Sequence, residues 1–311
     1  MNLLDKDFPS LAAMPPQLAA AKLRAVGEND AADALERVAA TSQSETAQSF
    51  GIRELFGQFT KPWQQTGTAI GYLSPIPDAS SDSIPIVSAR RIEADVTLKK
   101  AALKITLDRF YVAQYPGGGK HRILLHFATQ IQVRGRAETE VLHFNTTCDV
   151  LDGETAPIQG YPIFIGFNVG NEGLTLEYTT INVKNEQDQQ ILDILNSDVF
   201  RAGVTLVSTF QPVLAPFSAI AVGLAKMLCN RNNNINIGPF KIGFDFSTIP
   251  LREHLAEGSY IVTQLPEDLQ RTWNWSDWAY YIDSGLIIKK ADPQQRIPYN
   301  YLIFSITRYQ E

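Results

Sequence analysis

From about residue 100 onward, apolar side chains recur at every second position. Leu103, Ile105 and Leu107 alternate with Lys104, Thr106 and Asp108, the signature of a strand with one face buried and one wet. Leu125, Phe127, Thr129, Ile131 and Val133 share one face of a second strand, and Leu142, Phe144, Cys148 and Val150 one face of a third. Ile163, Ile165 and Phe167 are followed by the turn residues Asn171-Glu172-Gly173 and then by Leu174, Leu176 and Tyr178, a spacing that predicts a hairpin. Phe240, Ile242, Phe244 and Phe246 resume the alternation. Further strands are expected at 260–265, around 278–288 and at 299–308. The runs Tyr115-Pro116-Gly117-Gly118-Gly119 and Asp152-Gly153 read as turns.

Two segments change period. Ile191, Leu192, Leu195 and Val199 fall at helical spacing within 187–200, and Phe217, Ile220, Ala221, Leu224 and Leu228 within 214–228. Strands and helices do not alternate regularly, which argues against a parallel doubly wound sheet. The expected fold is mainly β: an antiparallel β-sandwich, C2-like or jelly-roll-like, with inserted helices and an N-terminal helical arm. Such an architecture carries no function with it.

The arm is read from the first sixty residues, rich in Ala, Gln, Glu and Leu. Pro15-Pro16 precede a helical run over 17–26 with Leu18, Leu23 and Val26, and Gly27 stops it. Asn29 or Asp30 caps a second run through Ala40 that carries Leu35, Val38 and Ala39. A third stretch, 44–59, places Ala47, Phe50, Leu55 and Phe59 near one face, weakened by Gly51 and Gly57. Helices this short are marginal alone in water, so the arm must dock on the body or on a partner. Pro75, Pro77 and Pro85, with a Ser- and Asp-rich run between them, mark 61–88 as a linker or long loop. The expected organisation is an arm over 1–60, a linker over 61–88 and a sandwich over 89–311.

Composition narrows the function classes. Hydrophobic residues are 44% and charged residues 19% of 311, ordinary globular values that provide for a sizeable core. The formal net charge is -6, and pairs such as Arg90-Arg91 and Lys99-Lys100 are too short for a polybasic tract. A nucleic-acid partner is therefore not expected. The two cysteines, Cys148 and Cys229, read as buried thiols. The first residues lack a basic segment followed by an apolar one, and a cytoplasmic location is expected.

Most candidate chemistry yields to a blander reading. The run Gly117-Gly118-Gly119-Lys120 lacks the upstream glycine and the following Ser or Thr of a phosphate loop. Of the four histidines, His121 and His126 would point to opposite faces of one strand, and the set reads as exposed or locally hydrogen-bonded. A Cys148 thiol paired with His143 or His126 is disfavoured by strand parity and by burial. Asp149, Asp152 and Glu154 crowd one loop and are a candidate calcium site, with lipid-headgroup binding as its corollary. Three acids are few for a full calcium shell, and Asp152-Gly153 is also ordinary turn chemistry. No other cofactor is expected.

Two features remain. Between 203 and 228 the only formal charge is Lys226, length enough to cross a bilayer as a helix. Pro212 and Pro216 divide the segment into a strand and a buried helix. The sharper reading is a membrane-inserting element bearing Phe217, Ile220 and Leu224. Secondly, Trp273, Trp275, Trp278 and Tyr280 crowd one stretch, either as core or as an exposed aromatic platform for a ligand, a sugar or a protein partner. The expected function is a non-catalytic binding module acting through the arm, the sandwich-end loops or these aromatics. The alternative is a membrane-acting effector, pore-forming or lipid-binding, activated by a partner or by cleavage. An enzyme site assembled from distant residues is a third class, and nothing in the sequence sets the oligomeric state.

Overall fold

Period-two alternation becomes paired strands through most of the chain. A computed structural model describes residues 8–41, 61–75, 81–132, 139–184, 214–231, 234–247 and 251–309, with Leu4, Asp188, Leu192 and Ile249 besides. Two helices, α1 (Pro16–Ala25) and α2 (Asn29–Thr41), come first. The strands β1 (Gly67–Leu73), β2 (Ser83–Pro85), β3 (Val87–Ser88), β4 (Leu103–Val112), β5 (Lys120–Gln132) and β6 (Thr139–Leu151) follow. Next come β7 (Glu154–Thr155), β8 (Tyr161–Phe167) and β9 (Leu174–Asn182), then α3 (Leu214–Asn230). The chain continues through β10 (Ile235–Asp245), β11 (Glu253–His254), β12 (Gly258–Leu265) and the single-turn helix α4 (Glu267–Gln270). It closes with β13 (Trp278–Tyr281), β14 (Leu286–Lys289), β15 (Asp292–Arg296) and β16 (Tyr301–Arg308).

The protein is mainly β, and its sheets are antiparallel apart from the short β10–β11 pair. A seven-stranded sheet runs β3-β1-β12-β16-β4-β7, with β8 also on β4; a five-stranded sheet runs β11-β10-β9-β5-β6; a four-stranded sheet runs β15-β14-β13-β2. One hydrophobic cluster joins the first two. Leu103, Ile105, Tyr260, Val262, Leu302 and Phe304 enter it from the seven-stranded sheet, and Ile123, Leu125, Phe127, Leu176, Ile242 and Phe244 from the five-stranded one. The Phe244 ring lies 4.4 Å from Tyr260 and 6.1 Å from Phe304 between centroids. The opposite parity of the seven-stranded sheet is buried as well: Ala69, Leu73, Ile261, Leu265 and Ile303 pack with Trp278 and Ile287 of the four-stranded sheet. Burial on both faces explains the unbroken apolar runs Tyr260-Ile261-Val262 in β12 and Tyr301-Leu302-Ile303-Phe304 in β16. A third cluster covers the outer parity of the five-stranded sheet, where Leu124, Ala128 and Ile181 meet Leu4, Phe8 and Ala225, Leu228 and Cys229 of α3.

Two expectations are corrected. Strands β8 and β9 are not a hairpin: β8 pairs with β4, and β9 with β5 and β10, so the chain passes from one sheet to the other over 168–173. Alternation sets which face is buried, and both strands bury into the same cluster from opposite sheets. The described residues of 61–88, namely 61–75 and 81–88, are not a linker or long loop. Trp63 and Gln64 are buried, β1 pairs with β12 along its whole length, and β2 pairs with β13. The described part of the arm, 8–41, docks on the body, one of the two outcomes expected of it. Leu23 and Leu35 of α1 and α2 are wholly buried in the main cluster, and Lys22 Nζ donates to the carbonyl oxygens of Cys229, Arg231 and Asn234 at 3.2, 2.7 and 2.9 Å. The expected helix over 44–59 and nearly all of that over 187–200 lie outside the described residues.

Candidate functional site

The aromatic stretch is placed by short-range capping and by one glycine. Asn274 caps a 3-10 turn over Trp275–Asp277, its Oδ1 accepting from the Ser276 N–H at 3.2 Å, and the Trp273 N–H donates to the Leu269 carbonyl at 2.8 Å. Trp273 stacks on Trp278 with centroids 5.4 Å apart and meets Trp275 edge-on at 5.6 Å. The Trp275 indole lies against β1. A Cβ at Gly71 would stand 3.0 Å from Trp275 Cε2 and 2.7 Å from Ile86 Cγ2, so only glycine admits the ring there.

Trp275 and Trp278 are 4% and 6% exposed and belong to the second cluster, while Trp273 and Tyr280 are partly exposed at its margin. A flat sugar platform needs the Trp273 and Trp275 rings both facing solvent, and Trp275 does not. Instead the stretch forms one wall of a cleft of about 470 Å³. Its apolar lining is Ile70, Ile86, Val87, Trp273 and Trp275, and its polar lining includes Arg90, Arg91, Arg271 and Glu253. Arg90 is paired with Glu253 at 2.9 Å. Among the described residues Arg91 and Arg271 make no ion pair. Sequence reading found the tryptophans and missed these arginines, because β3 and the end of α4 meet only in the folded chain.

The calcium candidates do not converge. Asp149 is paired with Lys120 and Arg122, each at 2.9 Å, and these bonds, Arg122 foremost, hold its carboxyl below the usual range. Asp152 Oδ1 accepts from the Tyr115 N–H and pairs with His121 Nε2, both at 2.9 Å. Glu154 lies exposed on β7. Among the described residues no three His, Cys, Asp or Glu side chains are grouped to hold a metal. In the glycine turn, the Gly117 N–H donates to the Glu28 carboxylate at 3.2 Å, so a protein carboxylate already occupies that amide.

Of the two readings expected for the histidines, His121 and His126 take the hydrogen-bonded one. His121 and His126 are both fully buried, though on opposite faces as parity required. His126 Nδ1 is bonded to Asn145 Oδ1, its Nε2 lies 3.3 Å from His143 Nδ1, and Asn145 Nδ2 donates to the Ala221 carbonyl of α3 at 2.9 Å. Burial pushes the His126 imidazole down to about 3, against the opposing hydrogen bond from Asn145. Burial also raises the Cys148 thiol far above its ordinary value, which leaves it inert as a nucleophile.

The membrane candidates fall on α3. Leu224 is partly buried against the third cluster; the side chains of Phe217 and Ile220, and residues 203–213, lie outside the described residues. Among the described residues no helix is long and apolar enough to cross a membrane.

No family model matches the chain, and neither does any curated protein or solved structure. The functional reading therefore rests on the geometry of the cleft and its lining.

Proposed function

We propose that the protein is a non-catalytic binding module whose ligand seats in the cleft beside Trp273 and Trp275. The observation that carries this reading is the lining: the Trp273 indole and exposed Val87 face the same space as two arginines that make no ion pair among the described residues. Concave sites that combine an apolar wall with a few polar anchors are the usual form of a ligand pocket. Recognition through the N-terminal helices has less support, because Leu23 and Leu35 are already committed to the core, although Leu18 stays 46% exposed. The shared cluster between the two larger sheets supports reading the body as a β-sandwich of C2-like or jelly-roll-like kind. Two free buried thiols favour a reducing, cytoplasmic setting, and the net charge of -6 disfavours nucleic acid.

Screening a fragment library against the full chain by ligand-observed NMR tests the reading. Hits are expected to compete for one site and to be lost in Val87→Arg, whose exposed position leaves the melting temperature unchanged. Hits that persist in that variant, or no hits, end the proposal. The rival, a membrane-acting effector that releases the helix bearing Phe217, Ile220 and Leu224, must break the bonds of Lys22 and Asn145 to that region. Leakage of anionic vesicles after limited proteolysis would restore it.

A further inference from the structure

We infer that the cleft takes a small amphiphilic anion, its carboxylate or phosphate held by Arg91 and Arg271 and its apolar body laid against Ile70, Val87 and the Trp273 indole. This rests on the cleft being the binding surface and adds the class of ligand. The argument begins with charge. The chain as a whole is acidic, at -6, yet the cleft is lined by Arg90, Arg91 and Arg271 against Glu253 alone. The Arg90–Glu253 pair neutralises itself, which leaves two guanidinium groups of the same sign facing one space. Low-dielectric walls concentrate such a field, and an incoming anion relieves the repulsion between the two.

The kind of cation matters too. A guanidinium presents its donors in a planar fork that fits the two oxygens of a carboxylate or phosphate, and it gives up hydration more readily than an ammonium. Arg91 and Arg271 are both exposed and make no ion pair among the described residues. An adjoining hollow of about 390 Å³ shares Arg90, Gln270 and Arg271 and contains Glu267. That carboxylate accepts from Thr66 Oγ1 at 2.8 Å.

An anion site alone would need no apolar wall. Here Val87 is 42% exposed on a two-residue edge strand, and Ile70 and Trp273 of the same lining are only partly buried. A ligand with a hydrocarbon or aromatic body covers them. Size selects a small molecule over a macromolecule, because about 470 Å³ falls within the range of small-molecule sites, roughly 300–1,000 Å³.

Four probes test the inference by calorimetry on the full chain: 3-phenylpropionate, phenyl phosphate, 3-phenylpropan-1-ol and inorganic phosphate. The two aromatic anions are expected to bind about tenfold more tightly than the alcohol or inorganic phosphate, and to weaken as salt is raised. The ratio of their affinities identifies the head group. Arg91→Gln and Arg271→Gln should each weaken the aromatic anions about fivefold or more with no change in melting temperature, since both residues are exposed. If the alcohol binds as tightly as the acids, or if the arginine variants bind the acids unchanged, the anionic ligand is wrong while the cleft stands as a binding site. If none of the four binds, the cleft falls with it.

Discussion

The outer faces of the two large sheets are both buried, but by unlike means. Over the five-stranded sheet the cover is stitched down by polar bonds, each with a defined partner. Asn145 holds the Ala221 carbonyl, Asn236 Nδ2 holds the carbonyls of Phe8 and Pro9 at 3.0 and 3.2 Å, Glu177 accepts from the Leu4 N–H at 2.9 Å, and Lys22 gathers three carbonyls. Over the seven-stranded sheet the cover is three indoles, fitted by shape and relieved by the missing side chain of Gly71. Directional bonds leave no slack, since a buried polar group that loses its partner is costly. Aromatic packing tolerates a margin, and the cleft lies at that margin. The difference explains why the candidate site sits on one face only.

The comparison makes demands that experiments can break. The largest effect should come from Trp278→Ala, which empties the centre of the aromatic cover; urea unfolding should report a loss of about 3–5 kcal/mol. A loss below about 1 kcal/mol would mean that the four-stranded sheet is not holding the seven-stranded one.

Next in size is acid. His126 is held neutral in the folded state, down to about 3, and takes a proton near its ordinary value of about 6.5 once unfolded. Its folded value is therefore depressed: stability is complete above about pH 6.5 and is lost as pH falls from there toward 3, by at most about 1.4 kcal/mol per unit. His121, also lowered chiefly by burial, acts in the same direction. Between pH 6.5 and 5 the carboxylates that are lowered in the fold, such as Asp149, do not yet titrate. The urea midpoint should drop across that window, and His126→Gln should flatten the drop. An unchanged slope in the variant would remove His126 as its source.

The smallest effect expected is that of Lys22→Met, about 1–2 kcal/mol, because methionine fills the space and leaves the carbonyls of Cys229, Arg231 and Asn234 without the ammonium. Hydrogen exchange should quicken at the end of α3 and at Asn234 before any global change. Uniform quickening along the chain would count against a local clamp.

How far the fold could be read in advance depended on what covers each strand. Where one parity reads as polar, as at Leu103–Asp108, strand and buried face were both legible. Where a strand was short and carried glycine for a neighbour's sake, as β1 does at Gly71 beneath Trp275, the pattern was invisible and the segment passed for a linker. The partner of a strand was not legible at all, since β8 and β9 would look the same as a hairpin or as members of two sheets. At the candidate site the tryptophans announced themselves by crowding. Arg91 and Arg271 carried no local signal, because each is an ordinary surface arginine until the chain brings β3 beside the end of α4. The burial of His126 was hidden for a related reason, as its cover comes from Phe8 and from α3.

The position of β16 sets the order in which this molecule can be built. That strand lies between β12 and β4, so until the chain has been made through residue 308 the seven-stranded sheet exists as two separate halves, each with a raw, unsatisfied edge. Pairings between such distant segments form slowly, and open edges invite contact with other nascent chains. Late closure by β16 leaves those edges open until nearly all of the described strands have been made, and Leu302 and Phe304 bring contacts that neither half can make without it.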